Sequence, residues 1–425
     1  MARVIITRAM GYQPSIRRRL IESALVDRLK RMPVVVLTGA RQVGKTTLAR
    51  SFRGAAARRF VDLDSLTTLD QARSQPEVIV EGDDPLTIDE VQRAPDLLIA
   101  IKRAVDRQPM RGRFLLTGSA NLRLARSVAE SLAGRAVHLV LRPMTEREKR
   151  NDPSPPAWPQ LLRASTATAA MASLAVGPPW NWRRAALAGG LPPAALARNS
   201  TDRHVWFEGY IDTYVHRDLR DLAQVGDLGA FVRLVRLTAL RTGGLLNQAD
   251  LARDAGISPT TAQRWLSILD ASFLITLLQP FAESRAKRLI KAPKLYALDT
   301  GLALHLAQVA DESVLARQTH SGAWLENLVL NDLLAWRETE VRKPGIFYRR
   351  TASGEEIDFV IEHDRRLLPI EVKAARHLRT ADARTLDAFC REFGRRAPFG
   401  LLLYDGDEIF LLTKAALAIP LRAVL

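Results

Sequence analysis

The chain reads as a multidomain α/β protein on three observations. Its first 150 residues alternate short apolar runs with helix-like stretches, the pattern of a parallel sheet flanked by helices. A glycine-rich loop stands directly after the first apolar run, where such sheets bind ligands. The 425 residues exceed the roughly 250–300 that one hydrophobic core fills. Four blocks follow: 1–150, a phosphate-loop sheet domain; 151–205, a lid or linker; 206–320, a helical, winged-helix-like domain; and 321–425, a second α/β domain.

In the first block a helix is expected from Leu20 to Leu29, after the basic run Arg17 to Arg19. Strands are expected at Val34–Leu37, Arg59–Leu63, Pro85–Ile88, Phe114–Thr117 and Val137–Leu141, with helical character at Thr46–Phe52 and Ala94–Val105. Between Asp152 and Pro193, eight prolines enclose an Ala/Thr-rich stretch, which reads as a mobile lid or linker.

Residues 39–46, G-A-R-Q-V-G-K-T, complete the G-x-x-x-x-G-K-[ST] pattern between a strand and a helix. Gly39, Ala40, Arg41, Gln42, Val43, Gly44, Lys45, Thr46 and Thr47 are the expected nucleotide-binding residues. Loop amides cradle phosphate oxygens, Lys45 supplies a point charge, and the Thr46 hydroxyl suits Mg²⁺. Leu86 to Glu90 is an apolar strand ending in two carboxylates. Asp89 is expected to hold the metal and Glu90 to act as the base, since phosphoryl transfer needs positioning and charge stabilisation beside the loop. The Phe114–Thr117 strand runs into Gly118, Ser119, Ala120 and Asn121, so Ser119 or Asn121 is a candidate sensor of the γ-phosphate. Arg135, in Ser131-Leu-Ala-Gly-Arg135, is placed to reach a nucleotide in the same subunit or, as an arginine finger in a homo-oligomer, in a neighbour.

The middle block carries a helix-turn-helix pattern: Gln248–Ala255, a turn at Gly256 and Ile257, then Ser258–Asp270 with Ser258 as N-cap and Pro259 at the first helical position. Ala262, Trp265, Leu266 and Leu269 share one face. Thr260, Thr261, Gln263 and Arg264 are left to touch phosphates and base edges. A strand at Phe273–Leu278 and the basic segment Arg285, Lys287, Arg288, Lys291 and Lys294 would form the wing. The competing reading is a structural module that joins the two outer domains.

In the last block, the strand from Glu356 to Ile361, a turn at His363–Arg366 and the strand from Leu368 to Lys373 form a hairpin. Glu371 and Lys373 share a face because side chains alternate, leaving Ile370 and Val372 toward the core. Asp358 and Glu371 could hold Mg²⁺ against a scissile phosphate while Lys373 orients the attacking water. This D…E-x-K arrangement resembles that of restriction-endonuclease-like nucleases, and the resemblance implies Glu326, in a helix upstream, as a further metal ligand. The alternative is a nuclease-like domain kept for binding without cleavage.

Composition narrows the setting. A formal charge of +16 with arginine preferred suits a polyanionic partner such as DNA. The single cysteine, Cys390, excludes an intrachain disulfide. No run of about 18 apolar residues occurs, so no transmembrane helix is expected and a cytoplasmic location follows by default.

Several motifs together resemble the AAA-type ATPases of archaea and bacteria that carry a C-terminal restriction-endonuclease-like, PD-(D/E)XK domain. They are the loop from Gly39 to Thr47, Ile88-Asp-Glu-Val-Gln92 with Pro95, Leu116-Thr-Gly-Ser119, Ser131 to Arg135, Tyr214-Val-His-Arg-Asp218, Lys291 to Tyr296, and Asp299-Thr-Gly-Leu302. The insert from Asp152 to Pro179 departs from that pattern. The resemblance implies ATP and Mg²⁺ as cofactors, a hydrolase, and an ATP-controlled DNA nuclease. A nucleotide-controlled switch that binds DNA or a protein, with a non-cleaving last domain, is the alternative.

Overall fold

A computed structural model describes residues 16–118, 131–214, 226–284, 288, 291–351 and 353–425. Its first sheet has five parallel strands: β1 (Val34–Gly39), β2 (Arg59–Asp62), β3 (Leu86–Asp89), β4 (Phe114–Thr117) and β5 (Ala136–Leu141), in the order β2-β3-β4-β1-β5. Side chains alternate across this sheet and feed two cores. Val34, Val36, Ile88, Phe114 and Leu116 pack on the face covered by the Leu97–Arg107 helix, while Val35, Leu37, Leu115 and Leu139 meet Leu25 and Leu48 on the other. Both faces being covered explains why the strands read as continuous apolar runs. The carboxyl ends of β1, β3 and β4 lie side by side, and the glycine-rich loop leaves the sheet at that edge.

The expected strands are met to within a residue or two. The lid or linker is not. Within 151–205 lie the helices Trp158–Arg163, Ala167–Ala172 and Trp182–Ala188. Trp158 and Trp182 are fully buried in the same core as the C-terminal sheet, and Trp158 Nε1 donates to Asp332 Oδ1 at 2.7 Å. Two buried indoles outweigh the proline content. The stretch is a wall of the last domain.

The middle region packs the helices Ser200–Tyr210, Leu228–Leu240, Gln248–Ala255 and Pro259–Ala271 around Phe231, Trp265 and Leu302. A two-stranded antiparallel sheet follows, β6 (Ile275–Leu278) and β7 (Lys294–Ala297). The C-terminal sheet holds six strands: β8 (Gly345–Arg350), β9 (Glu356–His363), β10 (Arg366–Lys373), β11 (Gly400–Tyr404), β12 (Phe410–Leu411) and β13 (Ala416–Pro420), ordered β12-β13-β11-β10-β9-β8. The long helix Ser321–Thr339 covers one face and Arg384–Phe393 the other. The β9–β10 hairpin turns at Asp364 and Arg365, both with positive φ, as a two-residue hairpin loop requires.

Candidate nucleotide site and a carboxylate cluster

The phosphate loop leaves β1 at Gly39, where a Cβ would strike the Leu141 carbonyl, and enters the Lys45–Ser51 helix through Gly44 at φ +100°. Those two glycines let the loop turn tightly enough to aim its amides inward. Lys45 is 5% exposed, and its Nζ donates to the carbonyls of Gly39 at 3.1 Å and Ala40 at 2.9 Å. Burial pulls its pKa below the ordinary lysine value, with Glu90 and Asp89 opposing. A buried ammonium without a bonded anion is a receptor for one.

Asp89 ends β3 and is 2% exposed; its Oδ1 accepts from the Thr117 hydroxyl at the end of β4. Thr117 Oγ1 also accepts from the Glu90 amide at 3.3 Å. Glu90 takes left-handed backbone, φ +56°, and its carboxylate accepts from Gln92 Nε2. β4 lies between β1 and β3, so Thr117 stands between the loop and the carboxylates. Ser119 and Asn121, the candidate sensors of the γ-phosphate, lie outside the described residues. Thr117 was in the motif, and only the sheet order singles it out.

Arg19 and Tyr210 tie the loop to the rest of the chain. Arg19 donates from Nη1 to Val43 O at 2.9 Å and from Nη2 to Arg142 O at 2.6 Å, and pairs with Glu148 at 3.2 Å. Tyr210, closing the Ser200–Tyr210 helix, donates to Arg41 O at 3.3 Å, and the Arg41 guanidinium lies 5.8 Å from the Tyr214 ring centre. Neither link has a local sequence signal.

Arg135 stands apart from the loop. β5 runs from Ala136 beside Val34 to Leu141 beside Gly39, so Arg135 sits at the opposite end of the sheet, about 20 Å from the loop at roughly 3.3 Å per residue. Its Nε pairs with Asp106 at 2.5 Å. That pair, and the length of β5, set it apart from the loop of its own subunit.

The C-terminal candidates do meet. Asp358 on β9 accepts from the Val372 amide at 2.8 Å, and Lys373 Nζ bonds Glu371 Oε1 at 2.7 Å, leaving Glu371 Oε2 without a partner. Both faces of β10 are covered, so Glu371 is buried along with Ile370 and Val372. Burial, then the Asp358 charge, lifts Glu371 to about 8 and Glu326 to about 7.

A residue assigned to the wing stands among these acids. Lys294 Nζ is in contact with Glu356, 3.4 Å from Glu326 Oε2 and 3.8 Å from Asp358 Oδ1, and the residue is 2% exposed. Burial acts against its charge, yet Glu326, Asp358 and Glu356 hold its pKa well above the ordinary lysine value. Glu326 Oε2 also accepts from Tyr296 Oη at 3.0 Å. Among the described residues no group of three or more His, Cys, Asp or Glu is arranged to hold a metal ion. The unpartnered Glu371 oxygen alone favours a cation, but an ammonium already stands amid the other carboxylates, so the expected metal set of Glu326, Asp358 and Glu371 does not fit Mg²⁺.

The expected DNA contacts divide. Thr260, Gln263 and Arg264 are exposed on the second helix, and Ala262, Trp265, Leu266 and Leu269 are buried as expected. Thr261 is half-buried, bonding Ser258 Oγ at 2.9 Å as part of the helix cap. Arg288 is structural: it pairs with Glu362 at 2.8 Å and its guanidinium sits 4.4 Å from the Phe347 ring centre. Arg285 and Lys287 lie outside the described residues, as do His216, Arg217 and Asp218. Cys390 is buried, its thiol pushed up to about 12 by burial. No helix among the described residues is long and apolar enough to cross a membrane.

Comparison with known proteins adds the following. A family profile described as an AAA domain matches residues 31–149; two others, described as domains of unknown function, DUF8612 and DUF4143, match 179–313 and 321–424. Uncharacterized proteins of Mycobacterium bovis and Mycobacterium tuberculosis are each 31% identical over 412 residues, covering 96% of this chain and 85% of theirs. Among solved structures, a Walker-type ATPase of Pyrococcus abyssi is 18% identical, covering 69% of this chain and 97% of its own, with a TM-score of 0.41. The RuvB Holliday junction branch migration motor of Thermotoga maritima is 19% identical, covering 60% and 88%, with a TM-score of 0.28.

Proposed function

We propose that this chain, which belongs to the same family as the two mycobacterial proteins and carries an AAA domain, is an ATP-hydrolysing switch whose nucleotide state controls how its middle and C-terminal domains hold DNA. One observation carries the reading: Lys45, Asp89, Glu90 and Thr117 converge at the carboxyl ends of three adjacent strands. Lys45 exchanges its carbonyl partners for phosphate oxygens. Glu90, oriented by Gln92, accepts the proton of the attacking water. Asp89 and the Thr46 hydroxyl are hard oxygen donors that fit Mg²⁺, which when bound neutralises phosphate charge.

Arg19 and Tyr210 supply the coupling, because a shift of the loop on nucleotide binding moves the residues they bond. The exposed Thr260, Gln263 and Arg264, with the formal charge of +16, support DNA as the partner. Arg135 remains a candidate only toward a neighbouring subunit, after release from Asp106. A metal-dependent nuclease is the second reading, favoured by Asp358, Glu371 and Lys373 on paired strands; the misfit of the metal set argues against it.

The test measures ATP turnover with and without duplex DNA, beside a nuclease gel with Mg²⁺ or Mn²⁺ on the same preparation. DNA-stimulated turnover, DNA affinity that falls steeply with salt and intact DNA are expected. Absence of DNA binding at low salt would overturn the DNA partner, and cleavage lost in Asp358→Asn would restore the nuclease.

A further inference from the structure

We propose that Lys294 is a built-in cation: its ammonium fills the place a divalent ion would take in the C-terminal carboxylate cluster, and so keeps that cluster metal-free. The inference deepens the non-cleaving reading of the last domain and rests on it.

Geometry carries the argument. Glu326 comes from the Ser321–Thr339 helix, Glu356 and Asp358 from β9, and Lys294 from β7 of the middle domain. The ammonium touches Glu356 and lies 3.4 Å and 3.8 Å from oxygens of the other two. An ammonium is a compact point charge with three donors, so it can answer three carboxylates at once. A divalent ion needs six to eight oxygens at about 2.3–2.6 Å if Ca²⁺, or a tighter octahedron if Mg²⁺. With Lys294 seated, these oxygens are turned to nitrogen, and a second cation about 4 Å from the first is repelled.

Lys294 is no mobile surface lysine. Its backbone pairs with Leu278 on one side and forms a bridge to Leu245 on the other. Three residues on, the Asn327 side chain clamps β7 like a neighbouring strand, accepting from Ala297 N and donating to Ala297 O, both at 2.9 Å. Tyr348 on β8 donates to the Ala292 carbonyl just ahead of the strand. The lysine is therefore delivered to the acids by a strand locked onto the C-terminal domain. Lys373 gives Glu371 its own ammonium in the same way.

The experiment is a Mn²⁺ titration of nucleotide-free full-length protein, followed by electron paramagnetic resonance and by the thermal unfolding midpoint. Wild type and Asp358→Asn should give the same weak binding and the same midpoint with or without Mn²⁺. Lys294→Met removes the charge but keeps the side-chain length; it should bind Mn²⁺ about tenfold or more tightly than wild type and be stabilised by it, since ligand binding to the folded state raises the midpoint. Adding Asp358→Asn to that variant should abolish the gain. Wild-type Mn²⁺ binding that disappears in Asp358→Asn would overturn the proposal, as would a folded Lys294→Met with no gain. If Lys294→Met unfolds, recovery of its circular dichroism by Mn²⁺ supports the proposal, and failure to recover counts against it. None of these readouts uses ATP turnover or DNA cleavage, so they fail independently of the switch and nuclease readings.

Discussion

Two lysines in this molecule are almost equally buried, Lys45 at 5% exposure and Lys294 at 2%, yet their environments act in opposite directions. Lys45 bonds only loop carbonyls, and burial wins, lowering its pKa although Glu90 and Asp89 stand near. Lys294 is surrounded by Glu326, Glu356 and Asp358, and the carboxylates win. Lys45 is bonded by neutral carbonyls; Lys294 is bonded by anions. A buried lysine close to acids thus has two meanings, and what separates them is whether the acids bond the ammonium or stand back from it.

That contrast can be broken in four places. Lys45→Met should lower ATP turnover by roughly 10²- to 10³-fold with the fold intact, as loss of a preorganised electrostatic group does; unchanged turnover in a steady-state phosphate-release assay would sink the nucleotide assignment. Lys294→Met should leave turnover alone and cost about 3 kcal/mol of stability, because it leaves buried carboxylates unanswered. An unshifted urea midpoint would refute that.

A third test uses pH. Glu326 and Glu371 are lifted from 4.5 to about 7 and about 8, so between pH 4.5 and 8 these two carboxyls hold more protons in the folded chain than in the unfolded one. Their contribution to stability is full at the acid end and is lost as pH rises through that window. The urea midpoint of wild type should fall from pH 5 to pH 8, and Glu371→Gln should flatten the slope. A smaller effect is expected at Thr117→Val, which removes the hydroxyl between Asp89 and the Glu90 amide. A net hydrogen-bond contribution of about 1 kcal/mol predicts a kcat lowered roughly fivefold with little change in KM.

What the sequence discloses follows how local each feature is. The phosphate loop occupies nine consecutive residues and the strand before it is apolar throughout, so both could be read directly. The buried face of the Pro259–Ala271 helix was equally plain, because Ala262, Trp265, Leu266 and Leu269 repeat at helical spacing. Lys294 and Arg288 were misread together. Both lie in a basic run, and a run of positive charge says nothing about partners 32 to 74 residues away, such as Glu326 and Glu362. Prolines hid the role of 152–193 in the same way, since composition outvoted the two tryptophans that decide its burial.

Those tryptophans bear on how the protein can be taken apart. Trp158 and Trp182 line the same core as Trp324 and Phe359, and Trp158 bonds Asp332 across 174 positions of chain. A fragment beginning at Ser321 would lose that wall, leave an aspartate without its indole and strip Lys294 from its acids. The homology boundary near residue 320 marks where a recognisable pattern starts, not where an autonomous folding unit does. Dissection should keep the chain from about Pro153 onward together, so that the smallest piece retaining the last domain also retains the middle one.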